Sequence, residues 1–473
     1  MKAEEFDLLF YRRGSVVAPA GCGKTQLIAD SLKSHRGPKP VLILTHTNAG
    51  VAALKARLAR AKVAPSTYSL STIDGWSMRL AATFPKRSEI DASVLKITNP
   101  KTDYTTIKQA ALKMLQAGHF KDILRATFSH LLVDEYQDCS LLQHQIVCAL
   151  ADGMNACVLG DPMQAIFGFA GKLVDWEKDV CSFFPKVREL ATPWRWKNVD
   201  ATALGSWLLT VRSDLIAGKA IDLKSAPIEV TWIKLDGTNA DFNRSLEAAG
   251  TKAKSKSDSV LVIGDSKSKA NRHKIASAVP GAVTVETVDL QDLVSFAEGL
   301  DLQGADALDR VVQFAQDTMN GVGGADLIKR TKTILGGRSK KTPTDVENAA
   351  VNLVNEPTYK NVAKLLEQIQ QEGGVRVFRP EVVRACMRAL QRCRDGQVTF
   401  SEAAIQIREQ NRVLGRTLPR RAVGSTLLLK GLEAEIAVVL DAAALDARNL
   451  YVAMTRGSKG LVICSPGQVL SPS

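Results

Sequence analysis

The chain has 473 residues, of which 45% are hydrophobic and 23% are charged, and its formal net charge is +13 at pH 7. This length suits two to four domains with substantial cores, and the composition excludes a disordered chain. The positive charge favours a polyanionic partner, nucleic acid before a membrane surface, and leaves a merely basic soluble protein as the alternative.

The eight cysteines are scattered along the chain, and no C-x-x-C pair occurs. This spacing is not that of clustered zinc or iron–sulfur ligands, so we expect reduced thiols inside the cores. Residues 1–13 lack the apolar core of a signal peptide, and no uncharged apolar run approaches the roughly 18 residues of a membrane span. We therefore expect a cytoplasmic protein that has no membrane partner.

The first motif along the chain is A-x-x-G-x-G-K-T at residues 18–25. A short apolar run precedes it and an apolar-periodic helical segment follows, which is the strand–loop–helix context of a phosphate-binding loop. Ala18 stands where the strict pattern has its first glycine, and a glycine-rich turn with a surface lysine is the alternative. The predicted ATP-binding residues of this segment are Ala20, Gly21, Cys22, Gly23, Lys24, Thr25 and Gln26.

Each residue type in this loop has a chemical reason to be there. The glycines let backbone N–H groups converge on phosphate oxygens, and the helix that begins near Gly23 adds the positive end of its dipole. Lys24 would neutralise the β- and γ-phosphates of a nucleotide, and the Thr25 hydroxyl would hold Mg²⁺. The sequence therefore predicts a nucleoside-triphosphate site that uses Mg²⁺.

Two further strand ends carry polar residues. Thr45 ends the apolar run 41–44 before a predicted helix over residues 49–61, and Thr72 and Trp76 open another helix. In a parallel sheet the loops after the strands line the ligand crevice, so Thr45 and Asn48 point to the nucleotide face or a neighbouring groove. Helix capping is the alternative for the polar residues, and core packing is the alternative for Trp76. Residues 80–128 are mostly helical and polar, typical of a small inserted subdomain.

The second strong motif is D-E-Y-Q-D at residues 134–138, directly after an apolar run. Asp134 at the strand end can join the Mg²⁺ shell, and Glu135 can orient and deprotonate an attacking water. An acidic turn after a strand is the alternative. This distance after a phosphate loop makes the catalytic interpretation the better one.

A third motif, G-D-x-x-Q, occupies residues 160–164 after another predicted strand. Gln164 can donate a hydrogen bond to a γ-phosphate. Phe167 and Phe169 follow two residues apart and can present rings to bases, where stacking contributes roughly 1–3 kcal/mol per base. Packing of both rings in the core is an equally good interpretation.

Taken in order, these motifs resemble the first motifs of UvrD/Rep-type superfamily 1 DNA helicases. T-P-W-R at residues 192–195, K-G-L-E at 430–433 and Y-V-A-M-T-R at 451–456 resemble the later ones. The resemblance implies that Arg195 contacts the γ-phosphate, that Arg456 is the arginine finger, and that Gln137 and Glu433 lie beside ATP. The DNA-binding residues that it implies are Thr45, Asn48, Thr72, Trp76, Phe167, Phe169 and Lys430.

The family fold is α/β, with two RecA-like P-loop motor domains that have parallel sheets and helical insertions. ATP would bind between the domains, and single-stranded or partly duplex DNA would move across the opposite surface, in the 3′ to 5′ direction that D-E-Y-Q-D suits. The expected divisions are a first motor domain at residues 1–79 and 129–192 with a small helical insertion at 80–128, and a second motor domain at 193–290 and 422–473 with a mainly helical insertion and basic linker at 291–421.

The chain departs from the family pattern at three places. No adenine-reading glutamine motif is evident before the first strand, the usual histidine is missing from the fifth motif, and Ala170 replaces a frequent arginine. The compact length resembles the helicase subunit of the Gabija antiphage system, which works beside a nuclease subunit. An alternative function is therefore a DNA-stimulated ATPase subunit of an antiphage or repair nuclease complex that separates no strands itself.

Two basic segments lie outside the motifs. Six basic residues between Lys329 and Lys341, interrupted by Gly336 and Gly337, are typical of a flexible linker or loop, with phosphate contact as an alternative. Arg384, Arg388 and Arg392 recur every four residues, which places them on one face of a helix. A solvated surface is the simplest interpretation of that face.

Overall fold

The computed structural model describes residues 6–97, 99–168, 172–253, 255, 257–393, 396–413 and 419–472. The chain forms two compact units. The first unit comprises Met1–Trp232, Ala442–Leu461 and Gly467–Ser473, and the second comprises Ile233–Asp441 and Val462–Pro466. The domain boundaries expected from the motifs, with a division after residue 192, stay a prediction.

The first sheet has six strands in the order β3-β2-β4-β5-β1-β6, and all five neighbouring pairs are parallel. Alternate residues of its central strands enter two different cores: Leu42 and Leu44 pack on one face, and Val41 and Ile43 pack on the other. Such a sheet is buried on both sides, which explains the continuous apolar runs of its strands. The strands are β1 Arg13–Val17, β2 Val41–Thr45, β3 Tyr68–Thr72, β4 His130–Val133, β5 Asn155–Gly160 and β6 Lys186–Glu189.

Helices of the first unit cover this sheet. They are α1 Lys24–Ser34, α2 Asn48–Arg60, α3 Ile73–Thr83, α4 Pro85–Ser88, α5 Pro100–Gln116, α6 Lys121–Thr127, α7 Leu141–Ala151, α8 Cys181–Phe183, α9 Trp194–Lys197, α10 Thr202–Ile216 and, near the C-terminus, α21 Ala447–Met454. Four of these helices, α3 to α6, occupy the chain between β3 and β4. A π-helical turn, Trp176–Val180, precedes α8. A short pair, β7 Ile221–Asp222 and β16 Val469–Leu470, is antiparallel.

The second sheet also has six strands, in the order β10-β13-β9-β14-β15-β8. The pairs β10–β13, β13–β9 and β9–β14 are parallel. Its strands are β8 Val230–Lys234, β9 Val260–Ile263, β10 Ala282–Thr284, β13 Arg421–Gly424, β14 Ala434–Val439 and β15 Gly457–Ser465. The helices α11 Ala240–Ala249, α12 Lys269–Ala278 and α20 Thr426–Leu429 accompany these strands in the chain.

A helical body within the second unit occupies the chain between β10 and β13. A single apolar core joins its helices, which is the reason that this long insertion is ordered. A small antiparallel pair, β11 Met319–Asn320 and β12 Arg376–Val377, lies among them. The helices are α13 Gln291–Gly299, α14 Ala307–Thr318, α15 Gly324–Leu335, α16 Asp345–Asn355, α17 Tyr359–Gln371, α18 Pro380–Arg392 and α19 Phe400–Val413.

The predicted α/β class, with two sheets and helical insertions, is confirmed. The interpretation of residues 329–341 as a linker or loop is wrong for its first half, because helix α15 continues to Leu335 and buries Leu327 and Thr331. Gly336 and Gly337 only end this helix. In the described part of the chain, no helix is long and apolar enough to cross a bilayer.

Candidate nucleotide site

The phosphate loop connects β1 to α1, as its sequence predicts. Gly21 and Gly23 have φ angles of 72° and 88°, a conformation that other residues rarely adopt. A methyl group on Gly21 would also lie 2.5 Å from the Trp196 ring. The helix begins at Lys24, so the N–H groups of its first turn point into the loop. The loop therefore has the backbone of an anion cradle.

Lys24 lies between the two carboxylates of the second motif. Its Nζ is 2.9 Å from Asp134 Oδ1 and also contacts Glu135 Oε1. Burial alone would lower the pKa of Lys24, but the charges of Asp134 and Glu135 outweigh burial and raise it. Burial raises the pKa of Asp134, and Lys24 opposes that shift. The ends of β1 and β4 thus bring a permanent cation against two acids.

Glu135 has an unusual backbone conformation. Its φ and ψ are 55° and 39°, in the left-handed region, where a non-glycine residue costs roughly 1–2 kcal/mol. The carboxylate is held from two sides, by Lys24 and by Gln137 Nε2, which donates to Glu135 Oε2 over 2.6 Å. Strain of this kind persists where the surroundings fix it and is common at functional sites.

A hydrogen-bonded chain leads away from Glu135. The Asp161 backbone N–H donates to Gln137 Oε1 over 3.1 Å, and Gln164 Nε2 donates to Asp161 Oδ2 over 3.1 Å. Arg456 Nη2 then donates to Gln164 Oε1 over 3.3 Å. The second, third and sixth motifs are therefore connected within the first unit.

The fourth and sixth motifs also touch the phosphate loop. The Arg195 N–H donates to the Gly21 carbonyl over 3.0 Å, and its Nη1 donates to the Thr455 carbonyl over 2.5 Å. The Ala20 N–H donates to the Tyr451 hydroxyl over 3.1 Å. Both predicted arginines lie in the first unit: Arg195 contacts the loop directly, and Arg456 contacts Gln164 and Thr455.

The remaining residues that were predicted to bind the nucleotide differ in burial and in position. Cys22 is buried in the loop, and burial raises the pKa of its thiol to about 12, so it stays neutral. Gln26 is exposed and donates to Asp30 one turn along α1. Glu433 is an exposed residue of the second unit. The roles of Gln26 and Glu433 stay predictions.

The donor set suits Mg²⁺. Thr25 on the first turn of α1 and the buried carboxylate of Asp134 offer the oxygen ligands that this ion prefers. Among the described residues, no group of three or more histidine, cysteine, aspartate or glutamate side chains is arranged to hold a metal. One carboxylate and one hydroxyl are what an ion needs when nucleotide phosphates and water complete its shell.

Two residues around the site, Arg212 and Trp176, were not singled out in the sequence. Arg212 of α10 is buried and donates through Nε and Nη2 to Asp161 Oδ1, over 3.1 and 3.0 Å. A methyl group on Gly160 would lie 2.5 Å from Gln137 Oε1 and 2.7 Å from the Trp176 ring. Sequence alone offers little signal for these contacts, because Arg212 and Asp161 are 51 positions apart.

A tryptophan lies on each side of Arg195 in the sequence, and this pair could have indicated aromatic contacts beside the site. Trp196 is fully buried and its Nε1 donates to the Gly457 carbonyl over 2.9 Å. Trp194 is 46% exposed, and a methyl group on Gly23 would lie 3.0 Å from its ring. An exposed aromatic face therefore borders the phosphate loop.

The predicted DNA residues lie in different environments. Thr45 and Trp76 are buried, Trp76 with 7% exposure in the core, which favours the packing alternative for its ring. Thr72 caps α3 by accepting from the Gly75 N–H. Asn48 is exposed, while Phe167 lies with its ring centroid 5.5 Å from that of His46. Phe169 lies outside the described residues, and Lys430 follows α20 in the second unit.

Comparison with known proteins gives a partial match. Residues 86–175 match the family model of the UvrD/REP helicase N-terminal domain. The chain is 32% identical over 92 residues to an ATP-dependent helicase/nuclease subunit of Oenococcus oeni, covering 20% of this chain and 7% of that protein. It is 27% identical over 143 residues to a probable DNA helicase of Mycoplasma pneumoniae, covering 28% of this chain and 27% of that protein.

A crystal structure of the Pif1 helicase from Candida albicans covers 97% of this chain and 93% of its own, at 12% identity and a TM-score of 0.39, too low to support an argument. The chain spans less than a third of the length of the two relatives described above. The family match includes D-E-Y-Q-D and G-D-x-x-Q, the two motifs that are joined by the hydrogen bond from the Asp161 backbone N–H to Gln137. Residues 86–175 of the chain are therefore similar to the UvrD/REP helicase N-terminal domain.

Proposed function

We propose that the chain hydrolyses ATP and uses the energy to move along single-stranded DNA in the 3′ to 5′ direction. The observation that carries this proposal is the contact of Lys24 with Asp134 and Glu135 beside a glycine cradle at the start of α1. A nucleotide's phosphates would enter the cradle and share Lys24 with the two carboxylates.

The chemistry follows from the positions of the side chains. Thr25 and Asp134 would hold Mg²⁺, which neutralises phosphate charge when it is bound. Glu135, oriented by Gln137, accepts a proton from the attacking water. Arg195, which contacts the Gly21 carbonyl, and Arg456, which contacts Gln164, would stabilise the charge that develops on the transferred phosphoryl group.

Recognition of the base is assigned to Trp194. This half-exposed ring lies against the phosphate loop. Stacking on an aromatic face contributes roughly 1–3 kcal/mol and tolerates any base. Trp194→Ala should therefore raise the KM for ATP about tenfold or more with a smaller effect on kcat, and an unchanged KM would contradict this role.

DNA binding is supported by the net charge of +13 and by the aromatic pair His46 and Phe167 near the end of β2. A second candidate function is a DNA-stimulated ATPase that serves a nuclease and separates no strands itself. The observation that favours it is the set of relatives whose names describe a helicase/nuclease subunit. Such a protein would have the same nucleotide site, so only an assay separates the two functions.

The test measures ATP hydrolysis with and without single-stranded DNA for the wild type, Lys24→Ala and Lys33→Ala. Lys33 is an exposed lysine in the last turn of the same helix and serves as the matched control. We expect DNA-stimulated turnover that Lys24→Ala abolishes and Lys33→Ala keeps. Turnover by Lys24→Ala at the wild-type rate would refute the site. Displacement of a strand from a 3′-tailed duplex separates the helicase from the nuclease-associated ATPase.

A further inference from the structure

Helix α18 of the helical body has two chemically opposite faces. One face is buried in the core, and the other carries Arg384, Arg388 and Arg392, all exposed. At four-residue intervals these side chains are about 6 Å apart along the helix axis. The buried residues are Val382, Val383, Ala385, Cys386, Ala389 and Leu390. The helix is therefore a rigid support for a straight row of three guanidinium groups.

The partners of these arginines are neutral. Arg388 Nη2 donates to Gln410 Oε1 over 3.0 Å, and Arg392 Nη1 donates to Gln406 Oε1 over 2.7 Å, both on α19. The described residues give none of the three row arginines a carboxylate partner. An amide fixes the orientation of a guanidinium and leaves its charge and its other N–H donors available.

Other arginines of the same body are paired differently. Arg310 Nε lies 2.6 Å from Asp306, and Arg330 Nε lies 2.9 Å from Glu347. Neighbouring like charges at i and i+4 destabilise a helix by roughly 0.2–0.5 kcal/mol per pair. The two repulsions within the row therefore oppose helix formation, and the helix dipole favours only Arg392, which lies in the last turn.

We propose that Arg384, Arg388 and Arg392 form a binding row for the phosphate backbone of a nucleic acid, in the second unit and apart from the nucleotide site. Each guanidinium fork matches phosphate oxygens, and a rigid, evenly spaced row matches a repeating polyanion. The proposal rests on the proposed function only in taking nucleic acid as the substrate, and it adds a contact that the helicase motifs do not supply.

The experiment measures the affinity of the full chain for a single-stranded and a duplex oligonucleotide of equal length over a series of salt concentrations. The variants are the triple Arg384→Gln/Arg388→Gln/Arg392→Gln, the same positions changed to lysine, and Arg310→Gln as control. Each lost phosphate contact lowers the log–log salt slope by about 0.9 on duplex or 0.7 on single strands. We expect the glutamine triple to lose about two to three units of slope on the oligonucleotide that uses the row.

The lysine triple should keep most of the slope, and Arg310→Gln should keep all of it. Basal ATP turnover, with no DNA present, should be the same in all four proteins and checks that they are folded. If the glutamine triple keeps the wild-type salt slope on both oligonucleotides, the three arginines do not bind the phosphate backbone. The ATPase proposal is unaffected by that result. Failure of the wild type to bind either oligonucleotide would overturn the row together with the DNA part of the proposed function. Absence of basal turnover in the wild type would overturn the nucleotide site alone.

Discussion

Each unit of the molecule buries one arginine between two carboxylates. In the first unit Arg212 contacts Asp161, which is fully buried, and Glu189, which is 39% exposed on its side chain. In the second unit Arg379 contacts Glu286, which is fully buried, and Asp292, which is 37% exposed. The two clusters are nearly equal in composition and burial, so their chemistry alone does not distinguish them.

Their surroundings differ. Asp161 also accepts from Gln164 and lies next to Gln137, so the first cluster belongs to the chain of contacts that reaches Glu135. The second cluster joins Glu286, which follows β10, to the first residues of α13 and the start of α18. Thr284 donates to Glu286 over 2.7 Å, and Lys269 contacts Asp292. It therefore attaches the helical body to the sheet.

The comparison shows two roles for the same kind of buried ion-pair cluster. A buried ion pair contributes little net stability, but it is strongly destabilising when one partner is lost. Near the nucleotide site such a cluster fixes the geometry of reacting groups, and between two packed layers it fixes only how the layers are joined. Removing each arginine should therefore give similar losses of stability and different losses of activity.

The largest effect is expected for Arg379→Met. It leaves Glu286 buried without a cation, which typically costs about 3–5 kcal/mol of unfolding free energy. Denaturant titration of the full chain, followed through the unfolding of its second unit, measures this loss of stability. ATP turnover per folded molecule should not change. Arg310→Met removes an exposed ion pair and should cost less than about 1 kcal/mol.

The double variant Arg379→Met/Glu286→Leu should recover much of that stability, because it removes both charges from the core. A cost of under about 1 kcal/mol for Arg379→Met would mean that the cluster does not hold the helical body. An equal drop in ATP turnover for Arg379→Met and Arg212→Met would mean that the two clusters do not differ in function.

Arg212→Met is expected to destabilise the first unit by a comparable amount and also to reduce catalysis. Losing a residue that orients a site residue from behind typically costs about 10–100-fold in activity. We expect kcat for ATP to fall in that range at a nearly constant KM, since the hydrogen bonds of Arg212 go to Asp161 and Glu189. Steady-state kinetics below the unfolding transition measures this, and wild-type kcat would contradict the connection.

A smaller effect is expected for Gly160→Ala, which changes the residue next to Asp161 and leaves the charged residues of the first cluster in place. Gly160→Ala places a methyl group 2.5 Å from Gln137 Oε1 and 2.7 Å from the Trp176 ring, and overpacking of this kind costs about 1–3 kcal/mol. Displaced Gln137 would release Glu135, so kcat should fall. Gly373→Ala is the control, because no atom lies within 4 Å of its added methyl group. Equal kcat in both variants would show that Gln137 does not orient Glu135.

The sequence predicted the parts of the site that depend on local spacing. The cradle, Lys24, Asp134 and Glu135 follow from contiguous motifs whose backbone geometry is set within a few residues. The contacts of Arg212 and Arg379 could not be predicted, because their partners are 51 and 93 positions away and any surface arginine has the same local pattern. Burial of these arginines is a property of the packed chain alone.

The fold shows the same division. Apolar runs predicted the central strands, whereas the basic residues from Lys329 onward did not indicate that the first of them belong to helix α15. Only Leu327 and Ile328 of this helix join the apolar core, and their packing partners come from other helices of the body. Polar composition indicated a loop there, and tertiary packing overrode it.

The smallest effect concerns pH and applies to the second cluster. His273 of α12 packs against Phe378, and burial, together with the charge of Arg379, lowers its pKa to about 4. The unfolded chain binds this proton near pH 6.5, whereas the folded chain does not, so stability is lost as the pH falls from about 6.5 to about 4. Because the ring is partly exposed, we expect a loss of at most about 2 kcal/mol.

Burial would raise the pKa of Glu286, but Arg379 lowers it below its ordinary value, so that carboxylate loses its contribution only at more acid pH. The interval between about pH 4.5 and 6.5 therefore reports on His273. Other histidines with lowered pKa values lie in the first unit, so the measurement is the difference between the wild type and His273→Gln. Unfolding free energies of the two proteins should converge as the pH falls through this interval. Parallel curves would show that the second cluster does not sense acid through His273.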